Sequence, residues 1–168
     1  MENDEGFTLI ELLMVVAVIG VIAAIAIPGL LRARMSANEA STIASLRAIN
    51  SGEAGYSSTA TRDGGYATTL AVLSLACPGG AIGFISPDLS ADPAIKSGYT
   101  ITLADGAGAV AGSVDCHGGT SRSAYYVTAV PLSPGFSGRR AFSTAAHGAI
   151  FFTVDGSIPP ENGGVPIQ

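Results

Sequence analysis

The sequence predicts an α+β chain: a long N-terminal hydrophobic helix packed on a small antiparallel β-sheet head. Three observations carry this. From Leu12 to Leu31 there are 20 residues without a charge. The following stretch, LLRARMSANEASTIASLRAINSGEAGY, keeps a helical repeat but turns amphipathic. From about residue 57 the composition shifts to Ser, Thr, Gly and Ala, with β-branched and aromatic runs between turn signals.

In helical form the uncharged block spans about 30 Å, the thickness of a bilayer core. It admits three readings: a cleaved secretory signal, a simple membrane anchor, or a segment held in a membrane and later packed into a protein assembly. Ala24-Ile25-Ala26 could pass as a small-x-small cleavage site, but a secretory signal begins with a basic region and this chain begins with Glu2, Asp4 and Glu5. Glu11 separates the other two readings. A plain anchor has no use for an acid at the edge of an apolar span, where ionisable groups are costly and usually partnered. The first cation after it is Arg32, several helical turns away. A chain cut after Gly6 would place the new amine of Phe7 one turn before Glu11, within reach of its own Glu11 or that of a neighbouring copy.

Beyond Pro28-Gly29, Met35, Ile43, Leu46, Ile49 and Tyr56 recur at helical spacing, while Arg32, Asn38, Glu39 and Arg47 are assigned to polar faces. Pro28 lacks an N–H and crowds the carbonyl of Ala24, so a bend or a melted turn is expected there. In the head, a short helix is expected near Leu70 to Leu75 and strands at 98–104, 124–132, 139–145 and 148–158, with turns at His147-Gly148 and Asp155-Gly156. Residues 76–93 and 105–123 are expected to be surface loops. Cys77 and Cys116 are expected to join as one disulfide formed outside the cytoplasm, the alternative being two buried thiols. The bridge would close a loop of roughly 40 residues and contribute about 4 kcal/mol.

The segment GFTLIELLMVVAVIGVIAAIAIP closely resembles the processing and assembly segment of type IV prepilins and of type II secretion pseudopilins. Gly6, Phe7, Thr8, Leu9, Ile10 and Glu11 match that pattern one by one, Gly20 matches a helix-weakening glycine, and Pro28 a helix-bending proline. The resemblance is strong over residues 6 to about 35 and only architectural beyond about 60. It implies a leader, 1–6, removed on maturation; a helix, 7–56, with a transmembrane and assembly part at 7–31 and an amphipathic part at 32–56; and a globular head, 57–168, as in type IV pilins. It further implies cleavage between Gly6 and Phe7, N-methylation of Phe7, and assembly through Phe7 and Glu11. The partners implied are copies of the chain in a helical filament, a prepilin peptidase, an inner-membrane platform with its ATPase, and membrane lipid before assembly. The location implied is the inner membrane with the head in the periplasm, then an extracellular filament or a periplasmic pseudopilus. The leader MENDEG departs from the basic leaders usual in the family, and Arg32 and Arg34 sit beyond the span, against the usual charge bias.

No enzyme is expected. Ser113-Val114-Asp115-Cys116-His117 falls one residue short of a haem-attachment motif. Cys77, Cys116, His117 and His147 fit no short zinc spacing, and Cys116-His117 as a nucleophile pair has no third orienting group. DGAGAVAG at 105–112 lacks the lysine of a phosphate loop. No cofactor is expected; calcium at Asp88, Asp92 or Asp105 stands as a lesser alternative, since no calcium-loop ligand series is present. The eight basic residues are scattered and the net charge is −5, which gives no nucleic-acid footprint. Two functions follow from the resemblance, a type IV pilus-like filament subunit or a secretion pseudopilin, and the Ser/Thr/Gly-rich head with its disulfide leans to the first. A membrane-anchored envelope binding module that never polymerises is the rival from another class.

Overall fold

The computed structural model describes residues 7–161 and 163–167. Gly6, and with it the leader side of the expected cleavage junction, lies outside the described residues. The chain divides into two compact units, 1–34 and 35–168. One helix, α1 (Leu9–Thr59), contributes to both.

In the first unit α1 is the whole of the described structure after Thr8. The helix runs unbroken through Gly20 and Pro28. The melted turn expected at Pro28 is therefore not present in the single chain: a missing N–H removes one link from a long ladder, which the turns on either side carry across.

The second unit is the α+β head. Its large sheet is antiparallel throughout, in the order β1-β2-β5-β6-β7-β8, formed by Ala94–Lys96, Tyr99–Asp105, Tyr125–Pro131, Ala141–Ala145, Ile150–Thr153 and Val165–Pro166. The neighbours β2 and β5 are separated in sequence by a hairpin of β3 (Ala111–Val114) and β4 (Thr120–Arg122) that pairs apart from the sheet. Strands β2 and β5 alternate buried and half-buried residues, so Tyr99, Ile101, Leu103, Tyr125, Val127 and Ala129 share the core face. Against that core lie Leu46, Ile49 and Tyr56 of α1, with Leu70 and Leu73 of α2 (Leu70–Leu73).

The four predicted strands are β2, β5, β6 and β7, with ends shifted by up to five residues. The missed strands have two to four residues, too few to show a period. Helix α2 ends at Leu73 and not Leu75, and α1 reaches Thr59 rather than residue 56. Two loop expectations need correction. Residues 105–123 contain the β3–β4 hairpin, and residues 76–93 bury Ile85 and Leu89 and form a 3-10 turn at Pro87–Leu89. Gly83 explains part of the latter: a Cβ there would stand 1.9 Å from the Ser74 carbonyl oxygen, so only glycine lets this loop close on α2.

Two acids that the sequence does not mark as interior are buried. Glu39 is almost fully enclosed; its carboxylate accepts the backbone N–H groups of Arg139 and Arg140 at 2.9 and 3.2 Å and the Arg140 guanidinium at 2.7 Å. Burial alone would raise its pKa, but these donors outweigh it and hold the carboxyl below the usual range. Glu39 thus ties α1 to the start of β6. Glu53 is fully buried and, among the described residues, pairs with no cation. Its Oε2 accepts the Ala67 N–H at 2.9 Å, and Oε1 has no partner. Burial pushes its pKa from 4.5 up to about 8, so the group is protonated at neutral pH.

Cys77 and Cys116 form a disulfide between the segment after α2 and the β3–β4 turn, with a sequence separation of 39 and a Cα–Cα distance of 5.4 Å. Beside it the Tyr56 hydroxyl donates to Asp115 at 2.5 Å, which fastens the same turn to α1.

Two outcomes follow. An unfolded chain loses the Glu53 proton near pH 4.5, whereas the folded chain holds it to about 8. The unfolded state therefore binds fewer protons in that window, and stability falls as pH rises across it by up to about 1.4 kcal/mol per unit, then levels off. Thermal unfolding of the full chain in detergent at a series of pH values should show this slope, and Glu53→Gln should remove it. Replacing both cysteines by alanine should cost about 4 kcal/mol by loop entropy, read as a lowered unfolding midpoint that reductant reproduces in the unaltered chain.

Candidate assembly site

The site that the sequence singles out is the start of α1. Thr8 is the first residue before the helix and Glu11 the third within it. The Glu11 carboxylate accepts the Thr8 backbone N–H at 2.9 Å and the Thr8 hydroxyl at 2.5 Å, and the Glu11 N–H points to the same hydroxyl at 3.4 Å. This reciprocal arrangement is a capping box, which satisfies N–H groups that a helix start leaves without partners. The Thr-x-x-Glu spacing that encodes it is plain in the sequence, and it gives Glu11 a role besides the expected partnership with the Phe7 amine. Both uses are compatible: Thr8 engages Oε2 alone, and Phe7 stands one residue before the cap, 83% exposed.

Beyond Glu11 the helix offers a continuous apolar surface. No residue from Leu9 to Arg34 is buried, and only Ala23 is half-covered. The segment is long and apolar enough to cross a membrane. A Cβ at Gly20 or Gly29 would meet nothing, so neither glycine is explained by packing within the chain.

In the second unit the candidates for chemistry disperse. Cys77 and Cys116 are spent in the disulfide. His117 lies next to it, Nδ1 3.6 Å from the Cys116 sulfur. His147 sits on the β6–β7 turn, where it accepts the Ala149 N–H and contacts the Glu161 carbonyl. Of the four residues of the candidate zinc set, Cys77, Cys116 and His117 stand together, but both sulfurs are joined in the disulfide and His147 has other partners. The carboxylates weighed for calcium are each engaged separately: Asp88 with Lys96 at 2.6 Å, Asp105 with Arg122 at 2.9 Å, and Asp92 with the Leu70 N–H at 3.0 Å. Residues 105–112 are the end of β2, the turn that follows it and the start of β3.

The family model described as the prokaryotic N-terminal methylation motif matches residues 1–27. The type IV wide pilus major component PilA4 of Thermus thermophilus is 59% identical over 39 residues, which are 23% of this chain and 30% of that relative. The similarity thus spans less than a third of the relative's length. No solved structure matches the chain. Motif and pilin likeness thus coincide on the N-terminal segment, where the chain carries a prepilin-type methylation motif ahead of an apolar helix and an antiparallel head.

Proposed function

We propose that the chain is the structural subunit of a type IV pilus-like filament. It waits in the inner membrane with its head in the periplasm, is cleaved between Gly6 and Phe7 and N-methylated on Phe7 by a prepilin peptidase, and is moved into the filament by an ATPase-driven platform. The observation that carries this reading is the pairing of a matched methylation motif with an apolar helix surface that is uncovered among the described residues. On this reading residues 1–6 are the leader, 7–31 the transmembrane and assembly part of the helix, 32–56 its amphipathic part and 57–168 the globular head.

Lipid tails are as apolar as leucine, so moving this surface from bilayer to protein brings little hydrophobic gain. Selection of one packing then rests on shape and on polar groups that must be matched. Glu11 is the acid in the apolar segment. In a dry filament core its carboxylate and the Phe7 amine of a neighbouring copy would each be costly alone and tolerable together, which fixes the axial register. Gly20 and Pro28 are where the helix has fewest restraints of its own, and they are the expected places for it to bend or extend among copies.

A pseudopilin of a type II secretion system is the second reading, since the N-terminal motif serves both. The named relative is a pilus component, which favours the first. A membrane-anchored binding module that never polymerises would need neither cleavage nor Glu11.

Intact-mass and N-terminal peptide analysis of the protein from its native envelope is the test. A peptide beginning at Phe7 with one added methyl group is expected; a chain still beginning at Met1, or cut after Ala26, overturns the assembly reading. Glu11→Leu should insert in membranes normally yet yield no filaments by electron microscopy. Thr8→Ser should keep the helix start and Thr8→Val should fray it, seen as faster hydrogen exchange at the first helical amides in detergent.

A further inference from the structure

The end of the head where α1 enters it, at Met35, carries a second feature that filament assembly does not account for. The turn between β5 and β6 hangs on this end. Its Ser137 carbonyl accepts from the Asn38 side chain at 2.8 Å, and the neighbouring β1–β2 turn is held by Ser97 against Ser41 at 2.8 Å. The turn projects Phe136, 73% exposed, with Leu132, 51% exposed, at its base. Val154, 71% exposed, follows β7 and shares a cleft with Arg139 and Arg140.

The backbone of this turn leaves no N–H for water. Leu132 donates to the Gly98 carbonyl, Ser133 to the Ser137 hydroxyl, Gly135 to the Gly138 carbonyl, and Phe136 and Ser137 both to the Ser133 carbonyl; Pro134 has no N–H. A tip that satisfies its own donors and displays an aromatic ring is suited to a medium that offers no hydrogen bonds. The charges here fit one such medium. Glu39 is neutralised by Arg140 and Asp88 is paired with Lys96; Arg139 and the anionic Asp155, which accepts from Ser157, are both exposed and form no ion pair among the described residues, so the cationic excess at this end comes from Arg139 together with the arginines that precede the head. Arg32 and Arg34, both exposed, directly follow the apolar span along the chain.

We propose that the turn 132–137, with Phe136 as its wedge and Arg139 as its cation, docks the head on an anionic lipid surface during the membrane-anchored stage. The proposal rests on that stage of the function proposed above, but not on cleavage or polymerisation. Docking would hold the head in one orientation before extraction. Leaving the membrane would then require breaking this contact as well as withdrawing the span.

The chain has no tryptophan, so a single introduced one reports its own surroundings. Phe136→Trp and, at the opposite end of the head, Val114→Trp would be made in the full chain and reconstituted at low density in vesicles with lipids brominated near the headgroup. Val114 is 64% exposed and adjoins the β3–β4 turn fastened to Tyr56, near the far end of α1. Flotation establishes insertion independently. The expected result is that bromolipid quenches the residue-136 fluorophore by about twofold, more in phosphatidylglycerol than in phosphatidylcholine, and leaves the residue-114 fluorophore unchanged. Arg139→Gln should reduce the preference for phosphatidylglycerol without affecting flotation. A chain that floats but shows no quenching at 136 overturns the docking and leaves the anchored stage standing. A chain that does not float overturns both. A blue shift at 136 that ignores bromine and grows with protein density would make a second copy the occupant, and the lipid proposal would fall.

Discussion

An uncharged helical surface some 20 residues long, left uncovered among the described residues, governs the rest of this molecule. Water cannot be its resting environment, because each exposed Leu, Ile or Val forgoes roughly 1.5–3 kcal/mol of burial. Such a surface favours an apolar environment, whether hydrocarbon or protein. The two environments are close in free energy for a hydrocarbon side chain, and what separates them is shape and the handling of the few polar groups. This is why Thr8 and Glu11 matter beyond their size. They give local partners to two of the backbone donors at the helix start, the Thr8 and Glu11 N–H groups.

The head solves the opposite problem. It is small and rich in Gly, Ser and Thr, and a core built on β2, β5 and the second half of α1 must hold it firm. Three fastenings supplement that core at different heights of α1. Glu39 ties the entry end to β6, Asn50 bonds Thr144 and Tyr125 at mid-length, and Tyr56 with Asp115 and the adjacent disulfide secure the far end. Glu53 works against this order. A buried acid with an unmatched oxygen is tolerated only by holding its proton, and that makes the head sensitive to rising pH.

Much of the architecture is legible without coordinates. The uncharged block, the amphipathic continuation and the longer strands have lengths sufficient for their periods to show. The missed elements share one physical character: they are too short to carry a period, and they exist because neighbours supply their partners. Strand β1 is set by pairing with β2, and the β3–β4 hairpin leans on Tyr66 through Arg122. The capping box is legible too, but weighing Glu11 against a charge it could meet leaves out the amides and hydroxyl beside it.

The sequence by itself determined what is periodic, local or ordered as a motif: the span, its prepilin-type start, the α+β class and the economy of two cysteines. Only the tertiary structure decided which polar residues are interior. Glu39 and Glu53 lie on the same helix, fourteen residues apart, and each looks like an ordinary surface acid. One became an ion pair because the residue before β6, Arg140, is brought to it, and the other became a neutral acid because no described cation pairs with it. The exposed, self-satisfied turn at Phe136 is a decision of the same kind. Its anchors on α1 and on the β1–β2 turn come from segments far apart in sequence, and burial, partner and exposure are properties of that convergence rather than of any residue type.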